Sequence, residues 1–287
     1  MYIESWVLAV VLLGFAVAIS SLWKNRRKME QKDQNVFPAT DSAPEPESVM
    51  EGGERPENIR RDFVANVSHE LRTPVAIVKG FAETLDDDYD ELSGKKRREF
   101  IGKIRKNSDR LCSLVEDLLQ LAELESPSQA LSLEDGNLAK VAQAVAERFE
   151  EQLGQETQSI RLELAEEEQT VRFDPVKIER VIENLLDNAL RYARDFSVIT
   201  IRTIIDGEAR EIRCEVEDDG RGIPEKDLPH LFERFYRVDK GRSRESGGTG
   251  LGLSIVKHVV ELHGGSVTTR SEMNKGTIFS FSLPYRS

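Results

Sequence analysis

The chain has 287 residues and a mass of 32.5 kDa, which leaves room for one or two globular units with accessories and excludes a long multidomain machine. With 39% hydrophobic, 32% charged and 7% aromatic residues it can bury a core, so wholesale disorder is excluded and a helix-rich, well-solvated protein is expected. A net charge of −12 and a pI near 5.1 argue against a nucleic-acid binder held by phosphate contacts, and an anionic ligand would need a local basic site.

Residues 5–23 read SWVLAVVLLGFAVAISSLW without a charge, which at 1.5 Å per residue spans roughly 28 Å, enough for one membrane crossing. Trp6 and Trp23 bracket this stretch, and Lys24, Arg26, Arg27 and Lys28 follow it. A single transmembrane helix over 1–23 is therefore expected, with the remainder in the cytoplasm. A cleaved signal peptide ending near Ala16-Val17-Ala18 is the alternative, opposed by an n-region that holds Glu4 and no Lys or Arg. Residues 24–60 carry Pro38, Pro44, Pro46 and Pro56 among acidic and small polar residues, the composition of a flexible cytoplasmic linker. With 1–4 alone outside and no folded module in the linker, the signal is expected to arrive through the membrane helix or a partner.

From about Arg61, Phe63, Val67, Leu71, Val78, Phe81 and Leu85 fall on one helical arc, and Pro74 lies on it too. A proline inside a helix costs about 3 kcal/mol, so packing along that stripe must hold this helix together. His69 projects to the opposite, solvent side, flanked by Asn66 and Thr73 and followed by Glu70. Ser93-Gly94 breaks the pattern, and a second helix runs to about Glu125 on Phe100, Ile104, Leu111, Leu114, Val115, Leu118 and Ala122. Residues 61–127 are thus expected to form an antiparallel hairpin, two of which pair as a four-helix bundle and make the protein a homodimer. His69 is either a surface histidine of no consequence or a nucleophile. Imidazole is usable as one near neutral pH, and Glu70 is placed to take or orient its other ring proton.

Two cysteines, Cys112 and Cys214, lack the paired spacing of zinc sites or disulfide frameworks, and both are expected as buried thiols in a reducing compartment.

After Ser126-Pro127 strands and helices alternate. Strands are expected at 131–133, 160–164, 198–205, 212–217, 266–269 and 277–283, and helices near 137–153, 175–192 and 251–263. Residues 128–287 should therefore form an α/β sandwich, a mixed sheet with helices on one face. The helix opened by Asp174-Pro175 carries Asn184, Asn188 and Arg191 on one stripe, opposite Ile178, Val181, Ile182, Leu185 and Ala189. Such amides are either surface polarity or ligands for a hard cation such as Mg²⁺. In the run VEDDGRGIP, Asp218 can accept a hydrogen bond from an exocyclic amine while Gly220 and Gly222 admit a flat base; the alternative is an ordinary acidic turn. The run Gly247-Gly248-Thr249-Gly250-Leu251-Gly252-Leu253 opens a helix and so offers free N–H groups to a phosphate, unless it is merely a turn.

The segment DFVANVSHELRTP closely resembles the H-box of sensor histidine kinases, and NLLDNA, DDGRGIP, LFERFY and GGTGLGLSIVK resemble that family's N, G1, F and G2 boxes in family order. Gly276-Thr277 is similar to its final glycine-containing strand, so the resemblance covers about 61–284. It implies autophosphorylation of His69 from ATP, transfer to an aspartate of a response regulator, assistance by Glu70 and regulator dephosphorylation through Thr73. It further implies that Asn188 holds Mg²⁺, that Asp218 holds the adenine amine, and that Gly248, Gly250 and Gly252 with Thr249 and Leu251 cradle the phosphates. Arg191 departs from the family's commoner lysine, which keeps the charge and changes the contact geometry. Within the family, RDFVANVSHELRTP and FERFYRVDKGRSRESGGTGLGL look most like the phosphate-regulon sensor kinases, which implies a transporter complex as the source of the signal. A non-catalytic nucleotide-dependent scaffold or a chaperone-like ATPase sharing only the sandwich domain is the rival reading.

Overall fold

In the computed structural model the described residues are 56–126, 130–151, 153, 158–165, 170–193, 196–238 and 248–285. The apolar stretch 5–23, the basic cluster after it and the linker as far as residue 55 lie outside them, as does Gly247. Among the described residues no helix is long and apolar enough to cross a membrane.

Helices α1 (Pro56–Asp87) and α2 (Gly94–Leu124) form the hairpin. The first begins earlier than its apolar stripe indicates, because a proline suits the opening turn, whose N–H groups have no intrahelical partner. It runs unbroken through Pro74, which is buried together with Val67. Ser93 caps α2 by accepting a hydrogen bond from the Lys96 N–H at 3.3 Å, and the rings of Phe81 and Phe100 meet across the hairpin with centroids 4.9 Å apart. Toward the end of α2, Leu114, Leu118, Leu121 and Leu124 are buried. Cys112 departs from expectation: it is exposed, because its position on α2 faces away from the turns that bury Arg110 and Leu114.

The second part comprises β1 (Glu134–Gly136), α3 (Leu138–Glu150), β2 (Ser159–Glu163), β3 (Val171–Phe173), α4 (Pro175–Tyr192), β4 (Val198–Asp206), β5 (Glu211–Asp218), a 3₁₀ turn (Glu225–His230), α5 (Gly252–Leu262), β6 (Ser266–Glu272) and β7 (Gly276–Pro284). Five strands form one sheet in the order β2-β4-β5-β7-β6, with β2 parallel to β4 and the other pairs antiparallel. The strand expected at 131–133 lies at Glu134–Gly136 and pairs in a separate ribbon with β3, a strand too short for its alternation to show in sequence. That register depends on Gly136, where a Cβ would come within 2.8 Å of the Phe173 ring.

Alternation along the central strands separates two faces. Ile201, Val216 and Phe279 stand side by side, as do Thr203, Cys214 and Phe281, and all are buried. Ile178, Ile182, Leu185 and Leu186 of α4 and Ile255, Val256 and Val259 of α5 supply the helical side of this core. Burial pushes the Cys214 thiol up to about 12, as befits an inert core residue. The opposite face carries Arg202, bonded to Glu163 and Glu217.

Candidate active site

The period of two that builds the core also aims the first site residue. Asp218 ends β5 in step with Val216 and Cys214, so its carboxyl faces the helical side of the sheet. Asp219, one residue on, faces away and accepts hydrogen bonds from the N–H groups of Ser197 (2.7 Å) and Val198 (3.1 Å), tying down the entry to β4. Asp218 is 5% exposed and accepts one from the Gly220 N–H at 3.0 Å. Burial raises its pKa to about 6, against the opposing pull of backbone N–H groups of Gly220 and Thr277.

Helix α4 faces Asp218 across a cavity of about 240 Å³. The N-cap Asp174 accepts from the Lys177 N–H at 3.1 Å and Pro175 follows at the first position; the apolar stripe then docks on the core and leaves Asn184, Asn188 and Arg191 lining the cavity. Arg191 also pairs with Asp187 at 3.5 Å. The Nδ2 atom of Asn184 is buried without a hydrogen-bond partner. A buried amide so placed costs stability unless a ligand completes it.

The glycine turn closes the cavity. Gly248, Thr249, Gly250 and Gly252 line it, and α5 starts with no side-chain cap, so its first N–H groups are open to an anion. A Cβ on Gly248 would fall 1.8 Å from the Tyr192 hydroxyl. Gly222 also lines the cavity at a φ of 72°, and a Cβ there would meet the Glu272 carbonyl oxygen at 2.2 Å. Two expected ligands stand apart. Gly220 holds Asp218 and packs against Ala193, where a Cβ would come within 2.9 Å, and Leu251 is wholly buried in the core beneath α5.

The third wall comes from the hairpin. Ser113, Glu116 and Asp117 of α2 line the same cavity, and the Thr249 hydroxyl donates to Asp117 Oδ2 at 2.5 Å. Burial raises the Asp117 pKa, with the Thr249 bond pulling the other way. The ring of Phe63 lies 5.8 Å from that of Phe235, and Arg234 bonds to Glu125.

His69 is exposed and does not line the cavity. The Thr73 hydroxyl donates to the His69 carbonyl oxygen at 3.3 Å. Glu70, expected beside the imidazole, bonds to two arginines in this structure: its Oε2 accepts from Arg110 at 2.7 Å and from Arg237 at 3.2 Å. Adjacent residues of a helix point about 100° apart, so Glu70 turns to the second helix while His69 faces solvent. Arg237 in turn donates to the Gly248 carbonyl, linking the hairpin to the glycine turn.

Sequence reasoning missed Asp117, Tyr192, Arg237 and Thr277 as parts of the site. Tyr192 adjoins a singled-out motif, Thr277 lies within one and Arg237 directly follows the LFERFY run, whereas nothing local marks Asp117.

The arrangement suits a nucleotide. A buried acceptor and close glycine backbone at one end are suited to a flat base, and an uncapped helix start with Arg191 at the other is suited to an anion. Among the described residues no group of three or more His, Cys, Asp or Glu side chains could hold a metal ion. A cation bound through nucleotide phosphates and one or two amide oxygens fits the donors that are present.

Residues 59–127 match the His Kinase A (phospho-acceptor) domain, and residues 173–287 match the family described as Histidine kinase-, DNA gyrase B-, and HSP90-like ATPase. The chain is similar to the sensor histidine kinase WalK of Bacillus subtilis, with 38% identity over 81% of this chain and 38% of that protein. It thus spans well under half the length of that relative. Among solved structures it resembles the Acinetobacter baumannii histidine kinase AdeS (26% identity, TM-score 0.59, 76% of this chain and 98% of that one). It also resembles histidine kinase ThkA, solved in complex with the response regulator TrrA (25% identity, TM-score 0.65, 80% and 63%). The ATPase description alone extends to gyrase and HSP90-like proteins, so the hairpin match and these relatives decide among them. With the phospho-acceptor hairpin and the kinase-type ATPase domain in one chain, the protein belongs to the sensor histidine kinases of two-component systems.

Proposed function

We propose that the chain autophosphorylates on His69 from Mg-ATP and passes the phosphoryl group to an aspartate of a response regulator. The observation that carries this reading is the cavity itself, walled by the ATPase domain and by the hairpin that displays His69. Asp218 would receive the adenine amine, and Asn184, Asn188, Arg191 and the glycine turn the phosphates, with the Asn188 amide oxygen as a magnesium ligand. An imidazole nitrogen of His69 forms a bond to the terminal phosphorus while the bond from that phosphorus to the bridging oxygen breaks. ADP leaves and the ring sheds its other proton to solvent. The N–P bond then breaks as a regulator carboxylate takes the phosphoryl group, and the leaving ring takes a proton back from solvent, which restores neutral His69. His69 lies outside the cavity, so the first step requires a movement of the ATPase domain or a hairpin from a second chain. The apolar stripe left half-buried on α1 and α2 supports a homodimer.

Incubating the chain with γ-labelled ATP tests this reading. Acid-labile, base-stable label on the wild type that disappears in His69→Ala is expected, and label surviving in that variant would sink the assignment. Thr73 lies one turn beyond His69, and we place regulator dephosphorylation there; Thr73→Ala should raise the steady level of phosphorylated regulator. The 5–23 stretch supports a single-pass anchor. For the pathway, the phosphate-regulon likeness of the motifs, with its transporter partner, stands against relatives named WalK. Phosphotransfer to a panel of the host's regulators distinguishes them, the fastest acceptor naming the pathway.

A further inference from the structure

The contact between Asp117 and Thr249 puts a carboxylate of the hairpin on the turn that receives phosphates. Thr249 has one hydroxyl hydrogen to give, and it goes to Asp117 Oδ2 at 2.5 Å while the oxygen accepts the Leu251 N–H at 3.2 Å. Its only donor hydrogen is therefore engaged. The same turn is gripped a second time, since Arg237 binds the Gly248 carbonyl and the Glu70 carboxylate together. Glu116 also lines the cavity and adds a second negative charge, against Arg180 and Arg191 on the α4 wall, which act on Asp117 as well. A nucleotide seated with its base at Asp218 would extend its phosphates away from that strand, so its last phosphate would approach Thr249 and the hairpin wall. There it would compete with one carboxylate for a donor and face the charge of another.

We propose that Asp117 competes with the terminal phosphate of the nucleotide for the Thr249 hydroxyl, so that the hairpin-docked arrangement accepts a diphosphate more readily than a triphosphate. Loading the triphosphate then requires release of Thr249 from Asp117, which couples nucleotide exchange to undocking of the hairpin. The inference rests on the reading of the cavity as a nucleotide site. It assigns to Asp117 a role in selecting the nucleotide without contact to the reacting atoms.

Calorimetric titration of the full chain with AMP-PNP and with ADP, each with Mg²⁺, tests it. Asp117→Ala should tighten AMP-PNP binding by about tenfold, the value of a charge-assisted hydrogen bond that no longer has to be broken. ADP binding should tighten clearly less. Asp117→Asn, which keeps the shape and loses the charge, should move in the same direction and guards against a variant that fails to fold. In a Thr249→Val background most of the gain should vanish. Unchanged or weaker AMP-PNP binding in both Asp117 variants, equal gains for the two nucleotides, or a gain that persists undiminished without the Thr249 hydroxyl would each overturn the proposal. A wild type that binds neither nucleotide would instead remove the cavity reading, and this inference with it.

Discussion

The hairpin displays His69 on an exposed helical face, open to water. The ATPase domain does the opposite with Asp218, which ends a central strand at 5% exposure and is pushed up to about 6 by burial. In the proposed reaction, one region keeps its reactive group free to meet a nucleotide and then a partner protein. The other accepts an energetic cost so that a carboxylate is dehydrated before a base arrives. Displacing water from a preformed acceptor is what gives selectivity, so the domain that selects a ligand should carry the strain and the domain that hands on a group should not.

Substitution of His69 draws this contrast most sharply. Because its side chain supports neither the hairpin core nor the cavity, His69→Ala should lose all phosphoryl label yet bind nucleotide and unfold as the wild type does. A fall in nucleotide affinity would mean that the two regions are not separable in this way.

Asp218 should respond in the reverse sense. Asp218→Asn removes a charge-assisted acceptor and should weaken nucleotide binding roughly ten- to a hundred-fold. Its carboxyl pKa is raised in the folded state, so its contribution to stability is full below the unfolded value and is lost as pH rises through about 6. At neutral pH the ionised form therefore costs stability, and the asparagine variant should melt higher than the wild type without nucleotide. The same titration predicts that wild-type affinity falls between pH 7.5 and pH 5.5 while the variant's stays flat. A variant that melts lower at neutral pH, or shares the pH dependence, would show that strain on Asp218 has been misread.

Gly248 tests the fit of the phosphate end. An added Cβ would fall 1.8 Å from the Tyr192 hydroxyl, so Gly248→Ala must displace that ring and should weaken nucleotide binding by about tenfold. Pairing it with Tyr192→Phe should recover part of the loss, and no recovery would place the damage in the backbone instead. The smallest effect is expected at Asp219, whose bonds to Ser197 and Val198 are exposed: Asp219→Ala should cost about 1 kcal/mol in denaturant unfolding and change affinity little. Loss of affinity comparable to that of the Asp218 variants would reverse the assignment of the two neighbouring aspartates.

Much of this contrast is written locally. Pro175 after an N-cap Asp174 sets the start of α4, and the spacing of Asn184, Asn188 and Arg191 puts them on one face because a helix turns every 3.6 residues. The hairpin break at Ser93-Gly94 likewise coincides with the start of α2. What escaped local reading is short or distant. The β3 strand has three residues, too few for an alternation, and the displaced β1 follows the ribbon that pairs with it. Cys112 was expected inside because its neighbours are apolar, yet helical geometry turns it outward.

The sequence by itself determined the element types, the helical stripe that carries the amides and the solvent-facing position of His69, since each follows from a period of 2 or 3.6 and a few capping residues. Tertiary structure alone decided what those groups meet. Glu70 turns from His69 to Arg110 and Arg237, Leu251 is buried in the core, and Asp117 reaches Thr249 across 132 positions of chain. Periodicity states which way a side chain points along its own element, but what it touches depends on how elements far apart in sequence pack together.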